Sequence, residues 1–153
     1  MSEVDNTGSG ENISAELTEA PIYEQLIKRR IARAWGFNRL GGNIQKILDA
    51  CMPSDLETTE FGEDRVFWAP GRSAAEYRFY RVGDDEESRR AIDEIPPEEL
   101  ANAMCEGLMD FNSCEKDTLY RETVKLFGLS AVTAKARKFL EYGFAALQKS
   151  GRI

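Results

Sequence analysis

Histidine is absent from this chain of 153 residues. Because histidine carries the proton in Ser-His-Asp and Cys-His nucleophile systems, neither system can be assembled here. A zinc site would need cysteine and carboxylate ligands alone, which is uncommon. The three cysteines, Cys51, Cys105 and Cys114, form no C-x-x-C pair, and their odd number fits a reduced, cytoplasmic setting in which they serve as small apolar residues. We therefore expect no catalytic residues, no metal ligands and no cofactor.

Long apolar runs and phosphate-binding glycine loops are also absent. No apolar run approaches the ~20 residues needed to cross a bilayer, so we expect no membrane partner. The glycine pair Gly41–Gly42 is not followed by Lys-Ser/Thr, and no G-x-G-x-x-G occurs. An independent enzyme would require carboxylates that converge in a pocket, for which Glu60, Glu63 and Asp64 are the candidates.

Residues 1–20 contain no lysine, arginine or aromatic residue, but they hold five acidic residues. Such a segment buries too little apolar surface to offset its ordering entropy. The composition predicts a disordered acidic tail over residues 1–20. A linker remnant of a longer protein is the alternative.

The chain repeats one short frame, IARAWGFNRL at 31–40 and TVKLFGLSAV at 123–132. Each copy predicts an amphipathic helix that ends at a left-handed glycine, Gly36 or Gly128, with the first of these helices beginning at Pro21. A second helix follows in each copy, with Gly41 or Thr133 as its N-cap. The matching apolar positions are Ile27 and Leu119, Ile31 and Thr123, Trp35 and Phe127, Ile44 and Ala136, Ile47 and Phe139, and Leu48 and Leu140. The pattern predicts a duplicated helix–turn–helix unit, unless any two glycine-capped helix pairs would look this similar.

Two aromatic segments lie between the copies, RVFWA at 65–69 and YRFYR at 77–81. Their partial alternation and the break at residues 70–73 predict a β-hairpin. A helix pair followed by a hairpin is the order of a winged helix–turn–helix. We therefore predict an α+β, mostly helical fold made of two winged helix–turn–helix-like halves with the hairpin between them. The predicted division is residues 21–82, an acidic connection at 83–95, and residues 96–153.

The net charge of −7 argues against a dedicated nucleic-acid binder, but the charge is uneven. Residues 21–50 carry about +4 and residues 116–153 about +5, whereas the connections are acidic. In a helix–turn–helix the second helix enters the major groove, and flanking cations meet phosphates. The candidate nucleic-acid-binding residues are Arg29, Arg30, Arg33, Arg39, Asn43, Gln45, Lys46, Arg72, Lys135, Arg137 and Lys138. The alternative is that these side chains are the solvated faces of amphipathic helices.

The aromatic residues of the predicted hairpin have two interpretations. Trp68, Tyr77, Phe79 and Tyr80 could stack on single-stranded bases. Alternatively, they pack the hairpin onto the helices.

The order RRIARAWGFNRLGGNIQKIL, RRAIDEIPPEELANAM and TLYRETVKLFGLSAVTAKARKFLEYGFAAL…GRI resembles the domain of unknown function that closes large bacterial superfamily I helicase-related proteins. The resemblance covers roughly residues 20–153, and its most specific pieces are packing and capping motifs. It implies a non-catalytic accessory module that acts on DNA or RNA beside a helicase motor domain of the same polypeptide. The Walker-type motifs of that motor have no match here, so ATP hydrolysis is not assigned to this chain. A protein–protein docking or dimerisation domain is the alternative function.

Overall fold

The structure is a computed structural model that describes residues 6–82, 89–110 and 115–151. It divides into two compact units, Met1–Ala74 (the first unit) and Ala75–Ile153 (the second unit). The predicted division placed this boundary later, after residue 82. Within the described residues the fold is α+β and mostly helical, which confirms the predicted class. The predicted acidic connection lies partly outside the described residues, at 83–88.

The first unit contains three helices and a small sheet. Its elements are α1 (Asn6–Leu17), β1 (Ile22–Tyr23), α2 (Glu24–Ala34), α3 (Gly42–Cys51), β2 (Thr58–Phe61) and β3 (Asp64–Phe67). Helix α1 contacts both α2 and α3, and it buries Ile13. The predicted disordered tail is therefore wrong for residues 6–17, because packing against the helix pair offsets the entropy cost of ordering. Residues 1–5 lie outside the described residues.

The second unit is built around three helices. These are α4 (Pro97–Asp110), α5 (Lys116–Leu126) and α6 (Ala134–Lys149). Helix α4 contacts both of the others, as α1 does in the first unit. Gly143 of α6 lets the two backbones approach, since a Cβ built there would lie 2.8 Å from the Cβ of Leu100. The spacing of the two helix pairs is constant: Glu24 and Lys116 are 92 residues apart, as are Gly42 and Ala134.

Both predicted glycine caps are confirmed. Helix α2 ends with Gly36 at φ 89°, and the N–H of Phe37 donates to the carbonyl of Ala32 at 2.9 Å. Helix α5 ends in the same way, with Gly128 at φ 79° and the N–H of Leu129 donating to a carbonyl at 2.8 Å. These are Schellman motifs, which close the orphan carbonyls of a helix C-terminus. Helix α2 itself begins at Glu24 rather than at Pro21, because Ile22–Tyr23 forms β1.

The second helix of each pair begins where the sequence predicted. Gly41 is the N-cap of α3, and Thr133 is the N-cap of α6. The hydroxyl of Thr133 accepts a hydrogen bond from the N–H of Ala136 at 3.0 Å. The repeated helix–turn–helix is thus present in the local structure of both copies.

The predicted hairpin is wrong in its partner strand. Strand β3 pairs with β2 in an antiparallel hairpin over residues 58–67, and β1 pairs with the other side of β3. Because β1 occupies that edge, the aromatic segment 77–81 has no strand to join, and it forms none. In the described part of the second unit no strand occurs. The winged form therefore stays a prediction for the first unit and is not met in the described residues of the second.

Candidate nucleic-acid interface

A buried lysine joins the two helices of the first pair. Lys28 of α2 is only 2% exposed, and its ammonium group pairs with Glu24 at 3.2 Å and with Asp49 of α3. Arg65 of β3 also donates to Glu24, at 2.9 Å. A buried charge is tolerated only when it is paired, so this cluster fixes α3 and the hairpin to α2.

The second pair places a polar cluster at the same three positions. Lys116, Tyr120 and Glu141 stand 92 residues after Glu24, Lys28 and Asp49. Lys116 pairs with Glu141 at 2.9 Å, and this contact lowers the pKa of the Glu141 carboxyl. Burial and the neighbouring Glu141 carboxylate raise the pKa of the Tyr120 hydroxyl. Both helix pairs are therefore joined by polar groups at matching positions, although the residue types differ.

Four cations of the first helix pair and its connection face solvent without an ion pair to the described residues. Arg29 and Arg33 lie on α2, Arg39 lies in the connection to α3, and Lys46 lies on α3. All four are exposed. None of their side chains forms an ion pair or hydrogen bond with another residue of the described ranges. This set, Arg29, Arg33, Arg39 and Lys46, is called the open basic face below.

Arg30 also lies on α2, but its charge is neutralised by acidic side chains. Its guanidinium contacts Glu16 of α1 at 3.2 Å and also pairs with Glu19. Burial by itself lowers the pKa of Arg30, but the Glu16 hydrogen bond and the Glu19 charge outweigh that effect and raise it. Arg30 is thus withdrawn from the surface that the sequence assigned to it.

Two of the three candidate cations of the second unit are paired with acids. Lys135 contacts Asp93 at 2.9 Å, and Arg137 contacts Asp117 at 3.0 Å. Lys138 is exposed and forms no ion pair with the described residues. The two helix pairs therefore share their local fold but not their electrostatic surroundings.

The remaining candidates lie in the first unit. Asn43 is exposed and Gln45 is half-buried, both on α3. Arg72, in the loop after β3, has an exposed side chain without an ion pair to the described residues. These side chains are placed by helix and loop, and no ligand contact is assigned to them.

The N-terminus of α3 is open to solvent. Gly41 supplies no side-chain cap, and a Cβ built at Gly41 or Gly42 would meet no atom within 4 Å beyond the adjoining backbone. The first N–H groups of a helix lack intrahelical partners and favour anions. In α6 the hydroxyl of Thr133 satisfies one such group. This difference adds to the contrast between the two helix pairs.

Two of the four aromatic candidates are unavailable for stacking on bases. Trp68 is fully buried, and its indole N–H donates to Thr59 at 3.2 Å. Tyr80 packs against Phe127, with ring centroids 5.9 Å apart, and its hydroxyl bonds to a glutamate of α4. Both side chains are therefore used in packing, although Tyr80 does not belong to a hairpin as the alternative required. Tyr77 is half-buried, whereas Phe79 is 64% exposed.

A buried acidic residue was missed by sequence reasoning. Glu99 of α4 is fully buried, and its carboxylate pairs with Arg81 at 2.6 Å and with Arg90 at 2.9 Å. Burial alone raises the pKa of Glu99, but the hydrogen bonds from Arg90 and Arg81 outweigh it and lower that pKa. The available signal was the presence of Arg81 and the pair Arg89–Arg90 upstream of the PPEEL sequence, which an acid on an apolar helix face could neutralise, although the intervening segment is itself acidic.

The carboxylates considered for an enzyme do not converge. Glu60 and Glu63 are exposed on the hairpin. Asp64 is half-buried and accepts N–H groups from Arg65 at 2.8 Å and Gln25 at 3.3 Å. Burial raises the pKa of Asp64 despite those bonds. Within residues 6–82, 89–110 and 115–151, no group of three or more Cys, Asp or Glu is arranged to hold a metal ion.

Comparison with known proteins supports a domain of unknown function over part of the chain. Residues 17–46 match the family model described as protein of unknown function (DUF3320). No curated protein and no solved structure matches the chain. The matched segment runs from the end of α1 to Lys46 in α3, and it contains the whole open basic face. Among the described residues no helix is long and apolar enough to span a membrane.

Proposed function

We propose that this chain is a non-catalytic accessory module of a helicase-like protein, and that it contacts DNA or RNA through the open basic face. The supporting observation is that Arg29, Arg33, Arg39 and Lys46 are exposed and form no ion pair with the described residues, in a chain with an excess of acidic residues. Phosphate contacts by unpaired cations release counterions, which is the main source of non-specific affinity. The helicase setting rests on the sequence resemblance, and the cytoplasmic setting on the cysteine content.

In this proposal the paired cations of the second unit are not the main phosphate contacts. Lys135 and Arg137 already contact carboxylates, so a phosphate must displace an acid before it can bind there. The first helix pair is therefore the principal contact in this proposal, and Lys138 is the candidate cation of the second pair that forms no ion pair with the described residues.

Fluorescence anisotropy with labelled duplex, forked and single-stranded DNA and with RNA tests this proposal. The full chain is expected to bind at low salt more tightly than ~100 µM, the weak end of non-specific affinity. In R39Q/K46Q the slope of log K (the binding constant) against log salt should become less negative by about two. Each phosphate contact to duplex DNA contributes about −0.9 to this slope.

K135Q/R137Q is the matched control, because it removes the same number of positive charges from the second unit. The slope of log K against log salt for this variant should stay within about half a unit of the wild-type slope. Absence of binding at low salt, or equal losses in the two double variants, would contradict the proposal.

Protein docking is the second candidate function. It is favoured by Phe79 and Val82, which are 64% and 45% exposed in one short segment. Tyr77 contacts the Phe79 ring edge-on, with centroids 5.8 Å apart. Sedimentation velocity over a range of chain concentrations would detect self-association. F79S should then reduce it, and a concentration-independent monomer would argue against the dimer form of this candidate.

A further inference from the structure

An acidic segment of the chain pairs with Arg30, a cation next to the open basic face. Residues 1–20 carry five acidic residues and no basic ones. Two of these acids, Glu16 and Glu19, contact the guanidinium of Arg30 on α2. Arg30 immediately follows Arg29, a member of the open basic face. The segment therefore places negative charge beside the surface that would meet phosphate.

Helix α1 has an apolar anchor besides these ion pairs. Ile13 of α1 is 2% exposed, and α1 contacts both α2 and α3. The acidic partners are more open, with Glu16 25% and Glu19 55% exposed. Ion pairs that solvent can reach contribute little to stability, so these partly exposed contacts can exchange while Ile13 stays buried.

We infer that Glu16 and Glu19 act as an internal competitor for nucleic-acid phosphate at Arg30. This inference rests on the proposed function. A carboxylate and a phosphate offer the same anionic oxygen acceptors to a guanidinium, so phosphate can replace the two carboxylates. In the free protein the two carboxylates keep Arg30 neutralised. They lower the affinity for nucleic acid by the phosphate contact that Arg30 would otherwise add.

The double variant E16Q/E19Q tests the inference in the full chain. Releasing Arg30 should add one phosphate contact to duplex DNA, so the salt slope should steepen by about 0.9. If E16Q/E19Q and wild type bind equally at 1 M salt, the steeper slope makes the variant bind about eightfold more tightly than wild type at 0.1 M salt. Circular dichroism should show unchanged helix content, because Ile13 still anchors α1.

Two controls separate local competition from a change in net charge. E60Q/E63Q removes the same charge from exposed positions on the hairpin and should leave the slope unchanged. In an R30Q background, E16Q/E19Q should give no further gain. Should E16Q/E19Q lose helix content, E19Q alone, at the more exposed acid, is the second variant.

The outcomes are distinguishable from failure of the proposed function. If neither wild type nor E16Q/E19Q binds DNA or RNA, the proposed function is overturned. If both bind with equal slopes, or if E60Q/E63Q gives the same gain, the competitor is overturned while the binding surface remains.

Discussion

Replacing Glu99 by glutamine should destabilise the second unit through the loss of one charge. The wild-type carboxylate is fully buried and receives hydrogen bonds from both Arg81 and Arg90. Glutamine keeps the shape, but it turns an amide N–H₂ group toward guanidinium donors. The change therefore leaves two cations beside an uncharged group.

The size of the effect follows from the exposure of the partners. Removing one member of a buried ion pair costs about 3–5 kcal/mol. Here Arg81 is 41% exposed and Arg90 is 17% exposed, so solvent compensates part of the loss. We expect E99Q to lower the free energy of unfolding by about 2–3 kcal/mol near neutral pH.

The pH dependence gives the sharper test. A glutamate with a lowered folded-state pKa stabilises the fold above its unfolded-state pKa of about 4.3, and this contribution is lost as the pH falls through the folded-state value. Urea unfolding followed by circular dichroism should therefore show a larger difference between wild type and E99Q at about pH 7 than at a pH well below the unfolded-state value of about 4.3.

E141Q is the matched control for this prediction. It makes the same chemical change at a 44%-exposed carboxylate that also pairs with a cation, Lys116. Its cost should stay below about 1 kcal/mol. A loss in E99Q no larger than in E141Q, or a loss that does not change with pH, would refute the reasoning.

Two glycine substitutions test the packing and the helix caps. Gly143→Ala should lower the free energy of unfolding in urea by about 1–3 kcal/mol, because the new Cβ would lie 2.8 Å from the Cβ of Leu100, although alanine is the better helix former. The control Gly42→Ala places its Cβ in open space and should not destabilise the protein. A stabilised Gly143→Ala would contradict the packing. Gly36→Ala should lower the free energy of unfolding by about 1–2 kcal/mol, because alanine must adopt a left-handed backbone. Gly128→Ala should lower it further, since an arginine side chain must also move. If either alanine variant is as stable as wild type, the cap geometry is contradicted.

The helix pairs could be predicted because their signals are local. A Schellman cap needs a glycine and an apolar residue within a few positions, so Gly36 and Gly128 predicted both helix ends. Likewise, the Thr133 hydroxyl reaches an N–H group only three residues away. The candidate cations on these helices could be found because an amphipathic pattern separates exposed from buried positions.

The hairpin and the acidic helix were not predictable from local patterns. Strand β2 reads TTEF, without strong apolar alternation, and its selection over residues 77–81 depends on β1 occupying the other edge of β3. Helix α1 is weakly apolar and is stabilised by contacts with α2 and α3. Neither outcome is visible in a window of a few residues, since both depend on which distant segments meet.

Charge pairing explains why the site could be predicted only in part. Composition identified basic helices, but an exposed cation binds phosphate readily only when no carboxylate already holds it. The partners of Arg30, Lys135 and Arg137 come from 11 to 42 residues away in sequence. Sequence patterns place the cations, and only tertiary contacts decide which of them are open.

The two copies therefore differ where function would require it and agree where folding requires it. Both place polar groups at the same three positions between their helices, and both end the first helix with the same glycine cap. Outside these positions, the first copy leaves four cations open, whereas the second pairs Lys135 and Arg137 with acids. The second copy also leaves Arg121, Lys138 and Lys149 without an ion pair to the described residues. The contrast between the copies therefore lies at the candidate positions in the connection and the second helix, which the salt-dependence experiments on R39Q/K46Q and K135Q/R137Q probe directly.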